Sequence, residues 1–224
     1  MMLRSSVNGV ASDSISLTDR GLLYGDGFFT TVAIALWQQH IHRITESAKR
    51  LNLSIDLVKL ENDVLNFLNE STLRGHHILK VLVTRAESGR GYRLSGNKQG
   101  VDSDQLNDNG SHKANTILQL FDYSDYDQLL EKRKQGLSLG ICDSRLSDNP
   151  QLAGIKHLNR LEQVMAANEL GQKAFDESLM LDVNDNVIEG TMSNVFVLSE
   201  EKLLTPILRR AGVEGVMKKF IFEN

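Results

Sequence analysis

Residues 152–164 read Leu152-Ala153-Gly154-Ile155-Lys156-His157-Leu158-Asn159-Arg160-Leu161-Glu162-Gln163-Val164. The stretch puts a lysine inside a short apolar segment at the start of an amphipathic helix. Desolvation disfavours the ammonium form of a lysine held in such surroundings and draws its pKa down, which is the condition for its use as a nucleophile. A lone lysine at a helix start is most often a solvated surface residue, so the weight of this reading depends on the rest of the chain.

Working outward, Leu158, Leu161, Val164, Met165 and Leu170 give one face of a helix closed by Gly171. Before it, residues 137–142 read as a strand that holds Cys142 in the core. After it, residues 178–182 and 187–189 flank Asn184-Asp185-Asn186, which suits a tight hairpin turn, and 195–198 form another strand. In the first half, Tyr24-Gly25-Asp26-Gly27 leads into a β-branched and aromatic strand at 28–34. Ile41, Ile44, Ala48 and Leu51, then Leu57, Leu60, Val64 and Leu68, recur at helical spacing, and 78–84 and 117–121 read as buried strands. Between these strands, residues 95–115 are polar and nearly free of aliphatics, so they cannot offset their ordering entropy and are expected to be a dispensable excursion. There is no internal repeat and no sequential βαβ pattern of the doubly wound kind. The pattern predicts a mixed α and β chain with a soft connector at 123–127.

The 224 residues carry a formal charge of −4, 41% hydrophobic content, two prolines and one cysteine. This is enough chain for one large or two modest domains with a real core. No dense basic run argues for nucleic acid or an anionic membrane surface, so the expected partner is a small molecule or another subunit. A single cysteine excludes an internal disulfide and a cysteine-based metal site. No window has the apolar length of a membrane span, and the N-terminus lacks a secretory signal, which points to the cytoplasm. The six histidines show no metal-ligand spacing: His40 and His42 read as helix-start residues, and His76 and His77 are adjacent on a strand. No metal is expected.

Four features combine with this architecture: Arg43 in His40-Ile41-His42-Arg43, Lys156, Glu189 in Ile188-Glu189-Gly190-Thr191-Met192-Ser193-Asn194, and Ala211-Gly212-Val213-Glu214-Gly215-Val216-Met217. Singly, each is a helix arginine, a surface lysine, a strand-end carboxylate or a helix entry. In this order, and with Thr18-Asp19-Arg20, Gly25-Asp26-Gly27 and Ser88-Gly89-Arg90-Gly91-Tyr92, they resemble the fold-type IV pyridoxal-phosphate enzymes, and within them the aminodeoxychorismate lyases. The resemblance runs from about Leu17 to the C-terminus.

That resemblance implies an α+β fold-type IV chain: a smaller N-terminal α/β domain over 1–122, a larger C-terminal pseudo-barrel domain over 127–224, and pyridoxal 5'-phosphate between them. It implies that Lys156 holds the cofactor as a Schiff base and then shuttles protons. Glu189 would keep the pyridine nitrogen protonated. Arg43 and the amides of Val216 and Met217 would bind the phosphate, with Ser193 and Asn194 as further members of the cofactor shell. Thr30, Arg90 and Tyr92 are the candidate substrate contacts. The 156–162 segment is closer to the lyases than to the branched-chain or D-amino-acid aminotransferases that share the fold, which usually carry a glutamate where Thr30 stands. The implied reaction converts 4-amino-4-deoxychorismate to 4-aminobenzoate and pyruvate, a step of folate biosynthesis, in a homodimer.

Two departures from the family pattern stand beside it. The passage from Gly27 to His40 is a few residues short, so a hairpin turn is expected to be missing there. The sequence also stops at Asn224, several dozen residues before those it resembles. Beyond the lyase, the open alternatives are therefore an aminotransferase of the same fold and a truncated, catalytically inactive cofactor-binding protein.

Overall fold

A computed structural model of the chain describes residues 1–32, 36–69, 74–87, 91–93 and 112–223. They fall into two compact units, Met1–Tyr126 with His157–Asn159, and Asp127–Lys156 with Arg160–Asn224. Both units mix helix and sheet, which makes the chain α+β.

In the first unit the elements are β1 (Met2–Val7), β2 (Val10–Ala11), α1 (Arg20–Tyr24), β3 (Gly27–Val32), α2 (Trp37–Arg50), β4 (Leu53–Ser54), α3 (Leu57–Asn69), β5 (His77–Arg85) and β6 (His112–Asp122). The sheet runs β2-β1-β6-β5-β3 with antiparallel pairing, and β4 adds a short parallel pairing to β6. Leu79, Val81 and Val83 alternate into the core from β5, and Leu118 and Leu120 do so from β6, the period-2 signature of a sheet with one covered face. Ile44 and Ala48 of α2 and Leu60, Val64 and Phe67 of α3 are the buried apolar helix positions, with His40 and Ser47 of α2 buried beside them, and α2 packs on β3 while α3 packs on β6. The inward stripe of α3 thus ends on Phe67 rather than Leu68.

Several expectations change. The helix begins at Trp37, so His40 lies inside it, buried, rather than at its start. β1 and α1 carry no strong periodic signal. β1 exists because it pairs with β6, and α1 because Asp19 caps it through Leu22 N while Gly25 closes it at φ 64°. The polar segment expected at 95–115 ends sooner. His112 and Lys113 pair with β4, and Asn115 lies opposite Thr84 and donates to the buried Asp19 carboxylate at 2.8 Å. Residues 112–115 are therefore structural, while 94–111 lie outside the described residues, as do 33–35, where the missing hairpin was expected.

The second unit contains most of α4 (Tyr126–Gln135), then β7 (Leu139–Leu146), α5 (Leu161–Gln172), β8 (Glu177–Asp182), β9 (Val187–Gly190), β10 (Val197–Ser199), β11 (Lys202–Leu204) and α6 (Val216–Glu223). β7 and β8 are parallel, joined through α5, which packs on both. This is a single crossover unit, not the sequential βαβ run of a doubly wound sheet. The expected hairpin joins β8 to β9, with Asp185 at φ 62° and the Asp182 carboxylate accepting the amides of Asn184 and Asn186 at 2.8 and 2.9 Å. Cys142, Leu146, Ala166, Met180, Ile188 and Ala211 form the core. Each fully buried large side chain among them contributes roughly 1.5–3 kcal/mol.

The helix after Lys156 is shifted and rotated from its expected form. It starts at Leu161, Gly171 lies within it, and its buried residue is Ala166. Leu161, Val164 and Met165 are exposed. Ala166 enters the core cluster where α5 packs on β7 and β8, so this face rather than the leucine stripe is turned inward. Among the described residues, no helix is long and apolar enough to cross a membrane.

Candidate active site

Lys156 occupies an irregular segment rather than a helix start. Gly154, at φ 83°, bridges to Val213, and its amide donates to the Gly212 carbonyl at 2.9 Å. On the other side, His157 bridges to Phe28, Leu158 N donates to the Gly27 carbonyl at 3.0 Å, and Asn159 donates to the Gly25 carbonyl at 3.1 Å. The lysine backbone is therefore pinned immediately before and after the residue, and its side chain is half-buried beside the fully enclosed Ile155.

Glu189, on β9, is buried. Its Oε2 accepts the Val213 amide at 2.7 Å, and its Oε1 accepts the side-chain amide of Gln163 at 3.2 Å. Burial pushes the carboxyl above its ordinary pKa, against the opposing pull of these two donors and of the Arg160 and Lys156 charges. The arrangement gathers Lys156, Arg160, Gln163, Glu189 and the 212–215 turn of the second unit around one carboxylate. A Cβ at Gly212 would crowd Ile188 and sit 3.3 Å from Glu189 Oε2. Glycine there leaves room beside the carboxylate.

The turn leads into α6. Asn194 donates to the Val213 carbonyl at 2.8 Å, and a Cβ at Gly215 would collide with its side chain. Asn194 thus shapes the loop that presents the first amides of α6, those of the buried Val216 and the exposed Met217, which lack intrahelical acceptors as in any helix start. Ser193 is exposed and donates to Glu177 Oε2 at 3.1 Å, and the same carboxylate accepts Thr191 Oγ1 at 2.6 Å. Both hydroxyls tie the 190–193 turn to β8.

In the first unit, Thr30 of β3 is fully buried, with its Oγ1 2.7 Å from His40 Nδ1. Arg43, one turn after His40 and half-buried, donates from Nη1 to the same oxygen at 3.3 Å. Burial first, and the Arg43 charge second, hold the His40 pKa down to about 4. Tyr92 is exposed and sets its ring edge-on to Tyr24 at 5.2 Å. Its carbonyl and that of Gly91 accept Arg20 at 3.2 and 2.8 Å. Arg90 lies outside the described residues.

Gln163, Arg160, His40 and the Val213 amide were not singled out as site groups from the sequence, and neither was Lys218. This lysine is buried, donates to the Pro206 carbonyl at 2.9 Å, and has its pKa lowered by burial against the charges of Glu214 and Glu189. Gln163 did leave a signal, being a polar residue one turn before Ala166 on the inward face of α5. Among the described residues, no group of three or more His, Cys, Asp or Glu side chains could hold a metal ion.

The donor set suits a phosphorylated pyridine cofactor. A buried carboxylate whose pKa burial raises matches a ring N–H, a lysine stands among its charged neighbours, and a glycine-opened turn leads to helix amides.

Residues 28–224 match the model of the amino-transferase class IV family. An aminodeoxychorismate lyase of Vibrio harveyi is 32% identical in an alignment of 223 positions that covers 97% of this chain and 75% of that protein. The crystal structure of a 4-amino-4-deoxychorismate lyase from Pseudomonas aeruginosa superposes with a TM-score of 0.83 at 36% identity, over 98% of this chain and 76% of the other. A putative branched-chain-amino-acid aminotransferase of Methanocaldococcus jannaschii is 27% identical over 93% of this chain and 68% of its own length.

Proposed function

The chain belongs to the amino-transferase class IV family, and from that premise we propose that it is an enzyme, a pyridoxal-phosphate-dependent lyase that converts 4-amino-4-deoxychorismate to 4-aminobenzoate and pyruvate. The observation that carries this reading is the likeness to two lyases at 32 and 36% identity over nearly the whole chain.

When bound, pyridoxal phosphate supplies an electron sink for the carbanion that the elimination needs. Lys156 attaches it covalently and moves one proton at Nζ, taking it from the substrate ring carbon that bears the amine. Glu189 holds the proton on the pyridine nitrogen, with Gln163 and the Val213 amide fixing the direction of the carboxylate. Arg43 and the amides of Val216 and Met217 bind the phosphate. Asn194 and Ser193 support the two turns beside these groups. Loss of a ring proton and of pyruvate leaves the ring aromatic, which drives the reaction. The enzyme works as a cytoplasmic homodimer in this reading, and light scattering of the purified protein tests the stoichiometry.

The activity test is incubation of the protein with 4-amino-4-deoxychorismate and detection of pyruvate and 4-aminobenzoate in equal amounts. Borohydride reduction with peptide mapping should find the pyridoxyl group on Lys156, and a label elsewhere would remove its role. The likeness to an aminotransferase supports a second reading, transfer of an amino group to a keto acid. Turnover of an amino donor with 2-oxoglutarate, and none of the lyase substrate, would favour it.

A further inference from the structure

The Thr30–His40–Arg43 cluster contains a hydroxyl whose proton has one acceptor among the described residues. Thr30 Oγ1 has two partners among the described residues, His40 Nδ1 at 2.7 Å and Arg43 Nη1 at 3.3 Å, and the residue is fully buried. A guanidinium has five N–H donors and no acceptor, so Arg43 donates to the threonine oxygen. A buried hydroxyl proton left without an acceptor is costly. The acceptor at hand is the Nδ1 lone pair of a neutral imidazole. His40 is neutral at neutral pH, because burial and the adjacent guanidinium hold its pKa near 4. The network therefore assigns the Nε2–H tautomer to His40, with Thr30 donating to Nδ1 and turning a lone pair toward Arg43.

We propose that Thr30 and His40 act as positioning residues for Arg43, fixing the plane of its guanidinium so that it meets an anionic phosphate already oriented. His40 and Arg43 stand three residues apart on one face of α2, and Thr30 faces them from β3, so all three sit on regular elements rather than loops. The imidazole polarises the hydroxyl, and the polarised hydroxyl is a better acceptor for Arg43. Thr30 spends its hydroxyl on this chain of bonds. The inference rests on the reading of Arg43 as a phosphate ligand.

The test compares pyridoxal 5'-phosphate with phosphate-free pyridoxal, titrated into the full chain after its cofactor has been removed, and followed by absorbance. Arg43→Ala should weaken the phosphorylated ligand and leave pyridoxal unchanged. Thr30→Val should weaken the phosphorylated ligand about fivefold to tenfold, the range expected for one lost hydrogen bond. It should add nothing in the Arg43→Ala background. Thr30→Ser should restore parental affinity. His40→Asn, which keeps an acceptor at the Nδ1 position, should stay near the parent, while His40→Leu should match Thr30→Val. The positioning role is overturned if Thr30→Val weakens both ligands equally, or if it costs the same factor with and without Arg43. An Arg43→Ala protein with parental affinity for the phosphorylated ligand would instead overturn the phosphate role itself, and the inference with it.

Discussion

Asp26 in the first unit and Glu189 in the second are both carboxylates drawn inward, and their surroundings treat the charge in opposite ways. Asp26 Oδ2 accepts Nε of Arg20 and of Arg85, each at 2.9 Å. Each arginine spends its remaining fork on backbone carbonyls: Arg20 on Gly91 and Tyr92, Arg85 on Asn52 at 3.0 Å and Leu51 at 2.7 Å. One carboxylate thereby ties the end of α2, the β5 strand and the 91–92 turn to the Gly25-Asp26-Gly27 corner. Glu189, among the described residues, accepts a backbone amide and a carboxamide, and the Arg160 and Lys156 charges lie close enough to lower its pKa. The first arrangement is saturated and serves as scaffold. The second holds a carboxylate through two neutral donors in a buried place, which suits it to a bound N–H donor.

The sharpest way to break this contrast is Asp26→Asn. It leaves two buried guanidiniums without a counter-charge, and removal of one partner from a buried ion pair costs about 3–5 kcal/mol. Urea unfolding of the variant should show that loss. A midpoint like that of the parent would mean that the carbonyls alone suffice for the arginines.

A pH series sharpens the contrast next, through groups whose shifts point opposite ways in the stability balance. Below its ordinary pKa of 6.5, His40 takes up a proton in the unfolded chain but not in the folded one until about pH 4. The unfolded state then holds more protons, so stability falls as pH drops from 6.5 to 4, by about 3 kcal/mol at 1.36 kcal/mol per unit. Glu189 runs the other way. Its folded carboxyl is raised, so the folded state holds the extra proton, and stability is lost as pH rises through the folded value. Denaturant midpoints should fall between pH 6.5 and 4, and His40→Asn should flatten that decline.

The smallest effect on stability is expected at Glu189→Gln. A neutral amide removes the desolvation cost of the carboxylate, so the unfolding free energy should change by no more than about 1 kcal/mol. Turnover should fall roughly hundredfold, mostly in kcat, because an amide does not hold the ring proton. A variant that loses stability like Asp26→Asn and keeps its activity would reverse the roles of the two carboxylates.

Long, strongly patterned elements were legible in the sequence. The apolar runs of β5 and β6, the Leu60–Val64 stripe and the Asn184-Asp185-Asn186 turn each carry a local physical signal. β1 was not legible, because its six residues, Met2 to Val7, have no clear alternation and owe their form to β6. The rotation of α5 was misread for a related reason: tertiary packing selected Ala166 over a more conspicuous leucine stripe. At the candidate site, Lys156, Arg43 and Glu189 stood out through the order of their motifs. Gln163 and His40 did not, since each matters through a partner 26 or 10 residues away. Such a partner is a product of folding, and no residue spacing announces it.

Residues 157–159 carry a consequence for synthesis. β3 is the outermost strand of its sheet, and its free edge is met by His157, while Leu158 and Asn159 bond to the Gly27 and Gly25 carbonyls. Open strand edges invite pairing with other chains. A nascent polypeptide exposes this one until the ribosome has passed residue 159, well beyond the last strand of the first unit. A fragment cut at Tyr126 would keep the edge open permanently and would be expected to aggregate, and a peptide spanning 150–165 supplied in trans is the natural means of closing it.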